Sequence, residues 1–142
     1  MRAGFLIICF CSVAAQSFAQ IPVDSLKREL QHAEGTARVD VLNQLTYEYI
    51  GTDNKQALAL NEEASALANR LNYTKGIGKA YIYRGVYEYL SGENPLGIDY
   101  LKKGLEWVSK ANDREMKGYA YLQLGNSYMN LTQFDSSLAN YD

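Results

Sequence analysis

Few side chains in this sequence are of a type and spacing that could support catalysis or metal binding. The only histidine is His32, and the two cysteines, Cys9 and Cys11, lie in an apolar stretch near the N-terminus. A metal site needs several ligands that converge, and a lone histidine beside Glu34 is more often a solvated residue at a helix end. We therefore expect no metal site and no other cofactor.

The acidic and glycine-containing segments favour structural roles over catalytic ones. Glu62 and Glu63 are typical of a solvated helix face, and Asp113 and Glu115 are typical of a capped first helical turn. General acid–base catalysis needs two carboxyl groups in one cleft, which this spacing does not supply. The segment Gly76-Ile77-Gly78 follows a helix rather than a strand, so it does not predict a phosphate-binding loop. We expect that the chain is not an enzyme.

The composition is that of a folded protein with a slightly negative charge. The chain has 142 residues, of which 47% are hydrophobic, and its formal net charge is −2. This composition is too apolar for a disordered tail. Because there is no basic surplus to neutralise a phosphate backbone, we expect no binding to nucleic acid.

The first nineteen residues are predicted to be an export signal. Arg2 gives a positive start, an uncharged apolar run extends from Phe5 to Ala15, and Ser17-Phe18-Ala19 has the small-large-small pattern that precedes a cleavage site. Cleavage is expected before Gln20, and it would remove both cysteines and with them any disulfide. The apolar run is too short to span about 30 Å of hydrocarbon, although an uncleaved membrane anchor is the alternative.

An internal repeat with a period of about 40 residues follows the signal. Identical residues align when the second copy is compared with the third: Gly78 with Gly118, Ala80 with Ala120, Tyr81 with Tyr121, and Gly85 with Gly125. An earlier copy aligns at an offset one residue shorter in its first half and at the full offset in its second half. Each copy contains apolar residues at spacings of three and four, which is typical of amphipathic helices, and no segment alternates with period two. The predicted fold class is therefore all-α, with two helices in each copy.

The third copy resembles the tetratricopeptide repeat. The residues that carry the resemblance are Tyr121, Leu124, Gly125 and Tyr128, followed by Phe134, Ser137 and Tyr141. The resemblance implies a right-handed α-solenoid of antiparallel helix hairpins over residues 37–142, with copies at about 38–76, 77–113 and 114–142. The third copy is expected to be incomplete, and residues 20–36 are expected to form a linker and a leading cap helix.

The same pattern predicts where the helices meet and where they turn. Gly85 and Gly125 are expected at the contact between the two helices of a hairpin, because a missing side chain allows close approach. In the second copy Arg84 replaces the usual Leu and Glu88 the usual Tyr, so we expect its first helix to pack more loosely or to swing toward solvent. A polar turn is expected at Thr132-Gln133.

A ligand groove is expected on the first helix of each copy, because these helices line the concave surface of such a stack. The candidate groove residues lie one step around the helix from the packing face: Asp40, Asn43, Tyr47, Ile50, Lys79, Ile82, Val86, Tyr89, Tyr119, Leu122, Asn126 and Met129. This mixture of aromatic, apolar and amide groups suits an extended peptide or a partner helix. The alternative is that these residues only cover the stack or contact further repeats.

Some family members grip a chain-terminal carboxylate on this surface. Asn126 stands where one such Asn is expected, but Asn43, Ile82 and Leu122 stand where the family has Lys, so that grip is not expected here. The partner is instead expected to be a protein or peptide bound without it.

The resemblance also implies a cellular role. Exported repeats of this kind form the periplasmic, sensory or scaffolding N-terminal part of bacterial signal-transduction proteins, whose histidine kinase or cyclase would lie beyond residue 142. Because Tyr141-Asp142 end partway through a helix pair, we expect a longer protein, held at the membrane only by a downstream segment or an uncleaved signal. The alternative is a free-standing periplasmic or surface-attached adaptor, and a downstream apolar stretch of about 20 residues would favour the sensor.

Overall fold

Six α-helices make up the described part of the chain. A computed structural model describes residues 22–138 and, within them, the side chains up to residue 132. The helices are α1 (Val23–Leu30), α2 (Gly35–Tyr49), α3 (Asn54–Arg70), α4 (Thr74–Leu90), α5 (Asn94–Lys110) and α6 (Arg114–Leu138). Residues 22–138 contain no strand, which confirms the all-α fold class. The predicted export signal and Tyr141 lie outside the described residues.

Short turns reverse the chain after each of the helices α2 to α5. At the end of α3, Asn72 adopts a positive φ of 51°, and the Tyr73 N–H donates to the carbonyl oxygen of Ala68 at 2.9 Å. This bond closes the C-terminus of a helix and stops it. The turns after α2, α4 and α5 also contain one residue each with positive φ: Gly51, Gly92 and Asn112. Consecutive helices therefore run antiparallel.

The closest helix pair is α4 and α5, which meet through glycines. A Cβ atom on Gly85 would lie 2.9 Å from the carbonyl oxygen of Gly97 and 2.7 Å from Cγ of Leu101. Further along the same contact, a Cβ atom on Gly104 would lie 2.9 Å from the backbone nitrogen of Ile82. Gly85 thus lies at a helix contact, as expected. The second copy does not pack loosely, because α4 meets α5 at the glycine contacts and Glu88 is itself buried.

The helix contact expected at Gly125 is not present among the described residues. Gly125 is exposed, and a Cβ atom placed on it would meet no atom within 4 Å. The turn expected at Thr132-Gln133 is also absent, since α6 continues to Leu138. Residues 130–134 contain no glycine, and the Thr132 hydroxyl donates to the carbonyl oxygen of Met129 at 2.9 Å within the helix. Without that turn, no second helix folds back onto Gly125 in the described range.

The helices form two layers. In one layer α2, α4 and α6 lie side by side, joined by the bond from Asn43 Nδ2 to the carbonyl oxygen of Gly76 (3.2 Å) and by the contact of the Tyr83 hydroxyl with Met116 Sδ (3.9 Å). They run parallel, because each is antiparallel to the helix that connects it to the next. In the other layer α3 packs on α2 and α4, and α5 packs on α4 and α6, but no Cα atom of α3 lies within 8 Å of a Cα atom of α5. The core lies between the layers, and α1 packs on α2 through Leu26.

Candidate functional site

Three tyrosines from α2, α4 and α6 meet on the outer side of their layer. Tyr47, Tyr83 and Tyr119 are equally spaced along the sequence. Their ring centroids lie 5.6 Å (Tyr47–Tyr83), 6.3 Å (Tyr83–Tyr119) and 6.2 Å (Tyr47–Tyr119) apart. The rings are tilted or edge-on to one another, which are the favourable arrangements of aromatic pairs. The three rings meet because the helices run parallel and each is shifted by the same distance along its neighbour.

A groove of about 390 Å³ lies beside these rings, and we call it the tyrosine groove. It is bounded by the C-terminal ends of α2 and α4 and by the middle of α6. Five of the predicted residues line it: Tyr47, Ile50, Val86, Tyr89 and Tyr119. Tyr47 is 44% exposed, and Leu90 at the same edge is also exposed. A partly exposed aromatic ring on a packed support is a typical anchor for a binding partner.

The other predicted residues of α6 lie on its open surface. Leu122 and Met129 are each 60% exposed, and Asn126 is half-buried. In α4 the residue equivalent to Leu122 is Ile82, which is fully buried against Gly104 of α5. The exposure of Leu122 therefore reflects the lack of a helix against this side of α6 in the described range.

The four remaining predicted residues do not line the tyrosine groove. Both Asn43 and Ile82 are buried: Asn43 lies between α2 and α4, where its amide donates to the carbonyl oxygen of Gly76, and Ile82 packs against Gly104 of α5. Asp40 accepts a hydrogen bond from the Tyr73 hydroxyl at 3.0 Å, which joins α2 to the start of α4. Lys79 is half-buried on α4. A first helix in this arrangement contacts neighbours on several sides, so the face one step from its hairpin contact is largely covered.

The sequence prediction missed other residues of the site. Glu48, Leu90 and Gln123 line the groove, and Tyr83 supports its floor. The equal spacing of the three clustered tyrosines was the available signal. The spacing of the tyrosines is shorter than the repeat period by about one helical turn. The reason is that each first helix contacts the next one at a position one turn nearer to that helix's N-terminus.

Two of the three clustered tyrosines, Tyr83 and Tyr119, have a raised pKa in the folded protein. Burial, followed by the neighbouring tyrosines 119 and 47, raises the pKa of Tyr83 well above its usual range. Burial and the proximity of Tyr47 raise the pKa of Tyr119 to about 12. Neutral phenols remain hydrogen-bond donors, so Tyr119 can donate to a carbonyl group of a bound chain.

These shifts predict a loss of stability in alkali. A phenol whose pKa is raised in the folded state stabilises the fold fully below the unfolded-state pKa of 10.0, and this contribution is lost as the pH rises toward the folded value of about 12. We expect the free energy of unfolding to fall between pH 10 and 12, and Tyr83 and Tyr119 to ionise late in an ultraviolet titration. A Tyr83→Phe variant should have a smaller late-titrating fraction, and an unchanged late fraction would contradict the assignment.

Within residues 22–138, no group of three or more His, Cys, Asp or Glu side chains is placed to hold a metal ion. No helix of that range is long and apolar enough to cross a membrane. Comparisons with protein-family models, with curated proteins and with solved structures find no match to this chain.

Proposed function

We propose that this chain is a non-catalytic binding module that holds a protein or peptide partner in the tyrosine groove. The observation that carries the proposal is the ring of Tyr47, which is 44% exposed yet supported by the buried ring of Tyr83. Such a ring offers apolar area to a partner at a low cost in side-chain entropy, since its position is already fixed by packing. Tyr89 and Leu90 extend the same surface along α4.

A tetratricopeptide-like solenoid is the proposed architecture behind this site. Three features support it: α6 begins one repeat period after α4, α5 begins one repeat period after α3, and the first helices of successive copies run parallel in one layer. The gap between α3 and α5 fits a stack that curves toward the layer of α2, α4 and α6. An experimental structure of the chain would test the right-handed twist that the resemblance implies.

Export and signalling belong to the same proposal. The pattern of residues 1–19 supports an exported chain, placed in the periplasm by the resemblance to bacterial sensor proteins. In that setting the module would sense or scaffold for an output domain, and the alternative is a free-standing periplasmic or surface-attached adaptor. N-terminal sequencing of the exported protein should begin at Gln20, and retention of residues 1–19 would contradict cleavage.

The binding proposal is tested with peptides selected on the chain itself. A random peptide display selection on residues 20–142 supplies ligands, whose affinities are then measured for the unaltered chain and for Tyr47→Ala. We expect Tyr47→Ala to weaken binding about tenfold or more, because central aromatic anchors carry much of the energy of an interface.

The matched control is Tyr121→Ala. Tyr121 is 56% exposed on α6 and does not line the tyrosine groove, so its removal should leave the affinity unchanged. Circular dichroism verifies that both variants remain folded. Failure to select any peptide, or equal affinities for the Tyr47 and Tyr121 variants, would refute the proposed function.

A further inference from the structure

A second groove lies on the far side of α4 from the tyrosine groove. It encloses about 450 Å³ between α3 and α5, with α4 as its floor. The groove exists because α3 and α5 are set apart, with no Cα atom of one within 8 Å of a Cα atom of the other. Tyr81, which lines it, is about 160° around α4 from Tyr83, given 3.6 residues per turn. The two grooves are therefore separate surfaces, and we call this one the Arg84 groove.

Arg84 on its floor, and Glu88 one helical turn further along α4, distinguish the second copy from its neighbours. The positions of Arg84 and Glu88 are occupied by Leu45 and Tyr49 in the first copy, and by Leu124 and Tyr128 in the third. Burying an ion pair costs solvation energy that a well-packed apolar pair does not. The fold is built without an ion pair at the two equivalent positions, so the needs of packing alone do not account for Arg84 and Glu88.

Glu88 and two aromatic rings hold the guanidinium group of Arg84 in place. Arg84 Nε donates to Glu88 Oε1, and Glu88 is only 6% exposed. The guanidinium carbon lies 5.3 Å from the ring centroid of Tyr100 and 5.8 Å from that of Tyr87, within the range of cation–π attraction. Because the bond to Glu88 uses one of five N–H donors, the others are left for an acceptor in the groove.

A second cation and a second ring complete the surface. Lys103 Nζ lies 5.7 Å from the centroid of the same Tyr100 ring, and the Tyr81 ring stacks on Tyr100 at 6.2 Å with an interplanar angle of 30°. Among the described residues, the only carboxylate that lines the groove is that of Glu62, on the opposite wall formed by α3. The α4 floor and the α5 wall of the groove therefore combine two cations with a pair of stacked aromatic rings.

We propose that the Arg84 groove binds a ligand that carries a carboxylate beside an aromatic or apolar group. The carboxylate accepts hydrogen bonds from Arg84 and pairs with Lys103, and the adjoining apolar group lies on the Tyr81 and Tyr100 rings. Charge-assisted bonds from a guanidinium are the stronger class of hydrogen bonds, and a groove of this volume matches a small ligand or a few side chains of a peptide. The site is independent of the tyrosine groove.

Two pairs of probes test the proposal and identify the source of the carboxylate. One pair is the capped peptide acetyl-Phe-Glu-Phe-amide and its Gln counterpart, and the other is N-acetylphenylalanine and its amide. We expect at least one carboxylate probe to bind about tenfold more tightly than its neutral counterpart at low salt. A preference with the peptide alone indicates an acidic side chain, whereas a preference with the free acid indicates a terminal or small organic carboxylate.

Variants locate the binding. Lys103→Gln should abolish most of the preference, whereas Lys102→Gln is the matched control because Lys102 does not line the groove. The double variant Arg84→Leu/Glu88→Tyr installs the residues of the other two copies, so it should fold and lose the preference. The Tyr47→Ala variant should keep the preference for the carboxylate probe, because Tyr47 does not line the Arg84 groove. The proposal is overturned if neither carboxylate is preferred, if both lysine variants weaken binding equally, or if the double variant still discriminates.

Discussion

Replacing Gly85 with Ala should lower the free energy of unfolding by about 1–3 kcal/mol or more. The new Cβ atom would lie 2.9 Å from the carbonyl oxygen of Gly97 and 2.9 Å from the backbone nitrogen of Leu101. Both are backbone atoms, so neither can rotate away, and α4 and α5 would have to move apart along their whole contact. Denaturant unfolding followed by circular dichroism measures the effect.

The control is the same substitution at the equivalent glycine of the third copy. At Gly125 a Cβ atom meets nothing within 4 Å, and Ala is favoured over Gly inside a helix by about 0.5–1 kcal/mol. Gly125→Ala should therefore raise the stability of the chain. If Gly85→Ala were also neutral or stabilising, the close approach of α4 and α5 would be contradicted.

Replacing Arg84 alone with Leu should destabilise the chain by about 3 kcal/mol at neutral pH, because it leaves the Glu88 carboxylate buried without its counter-charge. The side chain of Glu88 is 7% exposed and that of Arg84 is 25% exposed. Solvent therefore cannot replace the guanidinium without movement of α4. Denaturant unfolding of the variant and of the unaltered chain measures this difference.

The double variant Arg84→Leu/Glu88→Tyr separates the cost of a broken pair from the value of the pair itself. Leu45 and Leu124 are buried at the equivalent positions, so the double variant should recover most of the stability lost in Arg84→Leu. A single variant as stable as the unaltered chain would show that water reaches Glu88. Non-recovery in the double variant would show that the second copy cannot accept the residues of its neighbours.

The sequence predicted helices α2 to α5 and the turns between them well, because both depend on local signals, but it wrongly predicted a turn within α6. Glycines and asparagines that adopt positive φ mark the turns, and the starts of α3 and α5 are as far apart along the chain as those of α4 and α6. Apolar spacing within each segment showed which residues share a helix face. These features depend on neighbours along the chain, which a sequence displays directly.

The candidate groove was predicted less well because it depends on contacts between helices. Helical spacing places Ile82 and Val86 on one face, but it does not tell that α5 covers Ile82 while Val86 stays at the edge of a groove. Arg84 and Glu88 have the spacing of an i,i+4 ion pair, yet the family pattern suggested loose packing. Which face a helix buries depends on how many neighbours it has.

The triangle of tyrosines has a consequence for the order in which the chain assembles. Most contacts between helices join a residue to its own copy or to the next, so they close short loops. Contact between Tyr47 and Tyr119 spans twice the sequence separation of Tyr47 and Tyr83, and these two rings can meet only after α4 has docked on α2 and α6 on α4. Early folding steps therefore leave the tyrosine groove unfinished, and a chain released before α6 has formed would be helical but would lack the wall that Tyr119 and Gln123 supply to the groove.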